Sequence, residues 1–311
     1  MSNRTDTSHL ERYVAGQPFQ IGNRRVLFID DFFVEDRWNV LRKMNPPLKH
    51  SCNPVLVQDK PWDRHAYAAS VIFDQEENLF HMWYAATDPE AFMRQYRTGG
   101  WDPARDGSPY FVCYARSTDG VHWDKPTLGL IDYRGWKNTN IVHVGKQKCQ
   151  GHCVSLNHPS SGQPGKFIMS YRDNLEKADM ALCLAYSDDG IHWREDPANP
   201  VLWGIRDTMH QIMYDDDRGR WLFYTRPTSF AGQHPLNELD KAFNMKGRAA
   251  VAVGKTPQSL SNPRCVLYPL EDEHWFMDDF LVGKCDSHFI GFKTMMDWTN
   301  DNEMYNSSHL C

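Results

Sequence analysis

The sequence predicts an all-β fold, a five-bladed β-propeller whose blades are four-stranded antiparallel sheets. Three observations lead to this prediction. A Ser-x-Asp-Gly-x-His-Trp motif occurs twice, about 70 residues apart, apolar hairpin patterns precede each copy, and each repeat is long enough for four short strands. Repeated four-stranded units of this length are typical of propeller blades.

The duplicated motif predicts a turn between two strands. Its first copy runs from Ser117 to Trp123 and its second from Ser187 to Trp193, with the same internal spacing. Glycine readily adopts the positive φ that a tight turn needs, so each Asp-Gly step predicts a hairpin turn. We expect one strand to end at the Ser and the next strand to carry the His-Trp pair. A weaker third copy begins near Val251.

A further hairpin is predicted upstream of each motif copy. Short runs rich in aromatic and β-branched residues are separated by polar loops, which is typical of strands joined by turns. Two hairpins per repeat give the four strands of one blade. The predicted hairpins pair 68–73 with 79–84, 153–156 with 166–171, 211–214 with 221–224, and 280–282 with 288–292.

The repeats divide a single propeller domain, 1–311, into an N-terminal segment and successive blades. The apolar run Val26–Val34 predicts a strand that closes the ring with the last blade. Because another motif copy begins near Ser308, we expect the last part of the propeller to be incomplete or completed by a partner. An open blade edge would favour oligomers. The predicted segments are 1–62, blade 1 at 63–136, blade 2 at 137–203, blade 3 at 204–270, and the start of blade 4 at 271–311.

The composition argues against several classes of partner. The formal net charge is −6 and acidic and basic residues are mixed, which argues against a nucleic-acid surface. No apolar run is long enough to span a bilayer, and the polar first 16 residues lack the apolar core of a secretory signal. We therefore expect a cytoplasmic protein that binds neither nucleic acid nor membrane. The eight cysteines form no Cys-x-x-Cys pair and are expected to be reduced, buried thiols.

The predicted innermost strand of each blade begins with polar residues. In a propeller these strand starts converge near the central axis, so their side chains meet in one funnel. All four starts carry a histidine, and three of them also carry carboxylates. The candidate residues of the funnel are Trp62, Asp63, Arg64 and His65 on blade 1, His152 on blade 2, Arg206, Asp207 and His210 on blade 3, and Glu273, His274 and Asp278 on blade 4.

Several segments resemble the five-bladed propeller glycoside hydrolases related to invertases, arabinanases and mannoside phosphorylases. The sequence looks most like proteins described as glycosyl hydrolase family 32 N-terminal-domain-like. The resemblance implies hydrolysis of a small glycoside or oligosaccharide by carboxylates in the funnel, without a cofactor. The resembling segments are 27–31, 53–57, 117–123, 125–130 and 138–142.

The resemblance also implies roles for individual residues. By position, Asp63 matches the nucleophile or base, Asp207 the transition-state stabiliser, and Glu273 the general acid. Thr208 stands where the family has a proline, and neither an Asn-Asp-Pro-Asn-Gly motif at Asp63 nor a Glu-Cys motif at Glu273 is present. One carboxyl would protonate the leaving oxygen, and another would attack the anomeric carbon or activate water. The substrate-binding residues would be Trp62, Arg64, His65, His152, Arg206, His210, His274 and Asp278.

Two other functions remain open at the level of the sequence. One divalent metal on the propeller axis would make the protein a metal-dependent lyase, hydrolase or oxygenase, since neutral imidazoles suit transition metals. A non-catalytic carbohydrate-binding propeller is the other alternative, because fold alone does not fix function. The ligands of the alternative metal site would be His65, His152, His210 and His274.

Overall fold

The computed structural model describes residues 20–23, 25–43, 45–94, 108–147, 149–175, 178–205, 209–226, 249–267, 275–286, 288–297 and 305–310. Over these residues the chain is built almost entirely of antiparallel sheets. This confirms the predicted all-β propeller class. The α-helix within the described ranges, α1, spans Pro89–Met93. Among the described residues, no helix has the length and apolar character needed to cross a membrane.

The first sheet has the strand order β1-β2-β3-β4. Its predicted inner hairpin is present, and β1 pairs with β2 from Ala66 opposite Ala86 to Asp74 opposite Leu79. The fourth strand lies beyond position 136, so this blade ends later than the repeat spacing predicted. The motif is followed by a long connection before the chain returns to the sheet. The four strands are β1 (Ala66–Asp74), β2 (Leu79–Thr87), β3 (Tyr110–Ser117) and β4 (Ile141–Val144).

Three further sheets follow along the chain. The second and third sheets also have four strands in sequential order, and a short extra strand pairs with β7 in the second. Among the described residues, the fourth sheet has three strands. Their inner hairpins, β5–β6, β10–β11 and β14–β15, agree with the predicted ones. The strands are β5 (Gln150–Leu156), β6 (Phe167–Leu175), β7 (Ala178–Ser187), β8 (Arg194–Glu195), β9 (Leu202–Trp203), β10 (Gln211–Asp215), β11 (Arg220–Thr225), β12 (Ala249–Gly254), β13 (Arg264–Leu267), β14 (Trp275–Cys285), β15 (His288–Asp297) and β16 (Tyr305–Leu310).

Both motif copies form the same side-chain-stabilised loop. In the second copy, the Ser187 hydroxyl accepts the Gly190 N–H at 2.8 Å, and the Asp189 carboxylate accepts the His192 N–H at 2.8 Å. These bonds make the loop wider than a tight hairpin turn. The prediction that the His-Trp pair lies on the next strand is therefore wrong, and β8 begins only after Trp193.

The chain divides into two compact units, and the smaller unit comprises Met1–Lys49 and Gly283–Ile290. It contains Val26–Val34, for which a closing strand was predicted. That prediction is wrong, because the segment forms bends and a turn. The Asp30 carboxylate accepts the Phe32 N–H at 3.0 Å, and the Asp31 carbonyl accepts the Val34 N–H at 3.0 Å. These local bonds take the place of a sheet ladder.

The larger unit comprises His50–Val282 and Gly291–Cys311. Its apolar core lies between successive sheets. Trp83 of β2 packs against Phe167 of β6, with ring centroids 5.1 Å apart, and its indole Nε1 donates to the Gly190 carbonyl at 2.6 Å. The wholly buried Trp221 of β11 packs in a second cluster with residues of β6 and β7. Large aromatic side chains thus hold the first sheet to the second and the second to the third.

Candidate functional site

The innermost strands of the first three sheets lie side by side. β5 contacts both β1 and β10, and the His210 N–H donates to the Gly151 carbonyl at 3.1 Å. On the other side of β10, the Gln211 side-chain amide donates to the Val282 carbonyl and accepts its N–H, both at 2.7 Å. The strand starts named from the sequence are therefore neighbours where the structure describes them.

Asp63 precedes β1, and its carboxylate is enclosed. The side chain is fully buried. Its Oδ1 accepts the backbone N–H of Lys60 at 2.8 Å. Its Oδ2 accepts from the Tyr84 hydroxyl at 3.3 Å and forms an ion pair with the Lys125 ammonium. Both oxygens are thus engaged with groups of the protein, and this geometry suits a residue that positions the loop before β1.

Lys125 joins that loop to the end of the first motif. Its side chain is only 7% exposed. Besides Asp63, the ammonium donates to the Val57 carbonyl at 2.5 Å and to the Asp59 carboxylate at 2.7 Å. The hydrogen bond from Lys125 lowers the pKa of Asp59. The same loop lines an open depression of about 340 Å³ formed by Gln58, Asp59, Lys60, Pro61 and Arg64.

Trp62 lies in the core instead of presenting its ring to a sugar. It is buried, and its Nε1 donates to the Asn140 side chain at 2.7 Å. The indole near it that faces solvent is Trp136, which is 54% exposed with its ring centroid 6.2 Å from that of Trp62. Trp136 lies in the connection that follows the first motif, so the spacing of strand starts gave no signal for it.

Two of the predicted histidines are held in the same way. His65 precedes β1 and its Nδ1 lies 3.0 Å from the Thr87 hydroxyl at the end of β2. His210 precedes β10 and its Nδ1 lies 3.0 Å from the Thr225 hydroxyl at the end of β11. A hydroxyl on each Nδ1 fixes the orientation of each imidazole. His65 is exposed, whereas His210 is buried.

His152 differs from these two histidines. It is fully buried, and its Nε2 lies 3.1 Å from the Trp83 carbonyl, which can only accept. The ring therefore carries its proton on Nε2, and its Nδ1 has no hydrogen-bond partner. Burial lowers the pKa of His152 to about 4, and burial together with His152 lowers the pKa of His143 on β4 to about 4.

Sequence reasoning missed Asp279 on β14. Its Oδ1 accepts the Met209 N–H at 2.9 Å, immediately before His210. Burial raises the pKa of Cys153 to about 11, and the nearby Asp279 carboxylate adds to that shift. Asp279 directly follows Asp278, the residue that the strand-start pattern singled out. The alternation of side chains along a strand is the signal that could have separated two such neighbours.

Four of the predicted site residues lie outside the described residues: Arg206, Asp207, Glu273 and His274. Of Asp278, only the backbone is described. Within the described ranges, no group of three ligating side chains includes His65, His152 or His210. The four-histidine metal site remains a prediction, because one of its members lies outside these ranges.

The comparisons with known proteins define the fold more closely than the function. No family model matches the chain. Two uncharacterized proteins of Mycobacterium tuberculosis, Rv1502 of strain H37Rv and MT1551 of strain CDC 1551, are each 24% identical over 157 residues, which is 49% of this chain. The chain covers 44% of each of these relatives.

Several solved structures have a similar fold. An N-acetylgalactosamine deacetylase from F. plautii, in complex with blood group B trisaccharide, has a TM-score of 0.51 at 16% identity, over 81% of this chain and 69% of that chain. A family GH32 β-fructofuranosidase of Bombyx mori has a TM-score of 0.47 at 12% identity, over 79% of this chain and 46% of that chain. The likeness to the deacetylase concerns the fold alone and supports the propeller class.

Proposed function

We propose that this chain is a hydrolase of small glycosides or oligosaccharides that acts at the starts of its innermost strands. One observation carries the proposal: His65, His210 and Asp279 lie at or beside the innermost strands β1, β10 and β14. Titratable groups at such positions can transfer protons and bind sugar hydroxyls. The similarly folded deacetylase was solved with a trisaccharide, and carbohydrate is the ligand class that we propose.

The proposed chemistry uses three carboxyl groups. Glu273 is the proposed general acid, Asp279 the proposed base or nucleophile, and Asp207 the stabiliser of positive charge in the transition state. Asp63 is assigned a positioning role, because its enclosed carboxylate is paired with Lys125. The histidines would bind substrate hydroxyls. The family 32 likeness of the sequence supports the roles of Asp207 and Glu273, and it defines neither the base nor the sugar.

A panel of aryl glycosides tests the proposal. We expect wild-type protein to release the aryl group from at least one glycoside, and Asp207→Ala, Glu273→Gln and Asp279→Asn each to lower kcat by at least about 100-fold. Equal rates for wild type and Asp279→Asn would remove Asp279 from the mechanism. A larger loss of kcat in Asp278→Asn than in Asp279→Asn would assign the role to Asp278, which the sequence suggested as a substrate-binding residue. Binding without turnover by wild type would favour the non-catalytic alternative.

A metal-dependent hydrolase is the second candidate function. The observation that favours it is the matching contact of Nδ1 with a threonine hydroxyl in His65 and His210. A hydrogen bond at one ring nitrogen fixes the tautomer and the orientation of an imidazole that binds metal through the other nitrogen. Metal analysis of protein purified without a His-tag tests it. About one tightly bound transition metal per chain, lost together with activity in His210→Ala, would support this candidate, and metal-free active protein would contradict it.

A further inference from the structure

The first blade carries another cluster of ligating side chains at the far end of β1. Asp74 ends this nine-residue strand, Glu77 lies in the following turn, and His81 is the third residue of β2. At about 3.3 Å per residue, Asp74 lies roughly 25 Å along the strand from the start at Ala66. The cluster is therefore separate from the candidate hydrolytic site and independent of the proposed function.

The three ligating atoms are close enough to share one metal ion. His81 Nε2 lies 3.8 Å from Asp74 Oδ2 and 3.7 Å from Glu77 Oε2, and all three atoms lie within 4.8 Å of one another. Ligands about 2.1 Å from a tetrahedral zinc ion are about 3.4 Å apart. Movements of a few tenths of an ångström would bring the nearest pairs to that spacing.

His81 shows why a cation fits between these groups. Its side chain is 3% exposed, and its Nε2 has no hydrogen-bond partner although it faces two carboxylates. Its Nδ1 lies 2.7 Å from the Tyr114 hydroxyl, and this contact at one ring nitrogen fixes the orientation of the imidazole. Burial outweighs the two carboxylates and lowers the pKa of His81.

One oxygen of the Asp74 carboxylate is already paired with a cation, the Lys166 ammonium. Its Oδ1 accepts the Glu76 N–H at 3.0 Å, which fixes the carboxylate with Oδ2 turned toward His81. Lys166, from the β5–β6 hairpin, places its ammonium 2.5 Å from that Oδ2 and also contacts the Glu76 carboxylate at 3.0 Å. Lys166 is thus a competing cation that retains a second partner when a metal displaces it.

The third blade shows that the hairpin does not need an imidazole. Asp215 ends β10 as Asp74 ends β1, and it pairs with Arg220 of its own hairpin at 3.1 Å. The position that corresponds to His81, two rungs further along the ladder, is Leu222. The buried imidazole is therefore a feature of the first blade that the third blade lacks.

We propose that Asp74, Glu77 and His81 bind one divalent transition metal of the zinc class at the β1–β2 hairpin. Nitrogen and carboxylate oxygen are suitable zinc ligands, and water can complete the coordination because the Glu77 side chain is 53% exposed. Bound metal would connect the end of β1 to β2 and release Lys166 to Glu76.

Titration of chelator-treated, tag-free protein with Zn²⁺ and Co²⁺ tests the site. Calorimetry should give one site per chain, and bound Co²⁺ should show the visible absorption of low-coordinate cobalt. We expect Glu77→Gln to weaken Zn²⁺ binding at least about tenfold and His81→Asn to abolish it. Lys166→Met should tighten binding, because it removes the competing ammonium.

Substitutions outside the core still test the proposal if the His81→Asn protein does not fold. Asp188→Asn, in the exposed loop of the second motif copy, is the matched control and should bind metal as wild type does. Unchanged affinity in Glu77→Gln, or weaker binding in Lys166→Met, would overturn the proposal. Absence of Zn²⁺ binding by wild type would overturn it as well.

Discussion

At the scale of single residues, the ion pair of Asp63 and Lys125 is important for the stability of the protein. The Asp63 carboxylate is wholly buried and the lysine side chain is nearly so. Removing one member of such a pair leaves an uncompensated charge in the interior, which costs far more than breaking an exposed pair. The pair therefore fixes the loop that lines the depression beside β1.

Lys125→Met should lower the free energy of unfolding by about 3–5 kcal/mol, because the Asp63 carboxylate stays buried without its partner. Urea denaturation measures this difference. Arg194→Ala is the control, since its ion pair with Asp188 is exposed and should change stability by less than about 1 kcal/mol. Equal effects of the two substitutions would show that Asp63 is not held by Lys125.

The sequence identified polar strand starts but not the surroundings of each side chain. Neighbouring residues before β1 differ in exposure, since Asp63 is buried and His65 is exposed. The partner of Asp63 comes from a residue distant in sequence, and no local pattern reveals such a contact. Asp279 was missed for a different reason, because a shift of one residue in a strand exchanges its two faces.

At the scale of elements, the duplicated motif forms two loops with the same hydrogen bonds but different surroundings. Gly120 and Gly190 both have φ of +74°. A Cβ at Gly190 would lie 2.5 Å from Cζ2 of Trp83 in the preceding blade, whereas a Cβ at Gly120 would meet the Phe80 ring at 3.7 Å. The second loop therefore packs closely against the preceding blade, whereas the first makes a looser contact with Phe80 of its own blade.

Gly190→Ala should destabilise the protein more than Gly120→Ala does. Both substitutions incur the strain of a left-handed alanine, about 1–2 kcal/mol, and only Gly190→Ala adds a collision with Trp83, worth about 1–3 kcal/mol. Thermal and urea unfolding of both variants measure the difference. Equal destabilisation would mean that Trp83 moves aside without cost.

The motif carboxylates should also make stability depend on acid pH. Burial of Asp189 opposes its charged form, but hydrogen bonds from His192 and the loop backbone outweigh burial and lower the pKa of Asp189 to about 2. The stabilising contribution is complete above the unfolded-state pKa near 3.8 and is lost as pH falls toward 2. Unfolding free energies measured from pH 5 to pH 2 should fall less steeply in Asp189→Asn than in wild type. Parallel curves would contradict this role.

Strand hairpins were predictable because they are local. Alternating apolar runs joined by polar turns define β1–β2 and β10–β11 without reference to the rest of the chain. The segment Val26–Val34 has the same apolar character, yet the Asp30 and Asp31 turn bonds decide its conformation. Hydrophobicity alone therefore could not distinguish Val26–Val34, which forms bends and a turn, from the segments that form strands.

At the scale of the larger unit, successive innermost strands are joined by side chains as well as by packing. Gln211 makes the clearest link, since its amide forms two hydrogen bonds with the backbone of Val282 on β14. Neither bond follows from the sequence of either strand. These two hydrogen bonds fix the position of β14, which carries Asp279, relative to β10, which follows directly after His210.

Gln211→Ala should lower the free energy of unfolding by about 1–3 kcal/mol, because two hydrogen bonds are lost. It should also speed hydrogen exchange at the Val282 amide, which loses its acceptor, while the amides of β11 keep their protection. Exchange measured by NMR or mass spectrometry checks both expectations. Unchanged exchange at Val282 would show that the backbone of β14 is held by other contacts.

The contact of Trp83 with Gly190 also bears on how freely the repeated units can be rearranged. Each copy of the loop carries the same Ser, Asp, Gly, His and Trp, yet only the second copy is shaped to a particular indole in the unit before it. Permuting, deleting or transplanting a single repeat would therefore place an aromatic ring against the wrong backbone. The fit of one loop to one indole thus makes the order of the units matter.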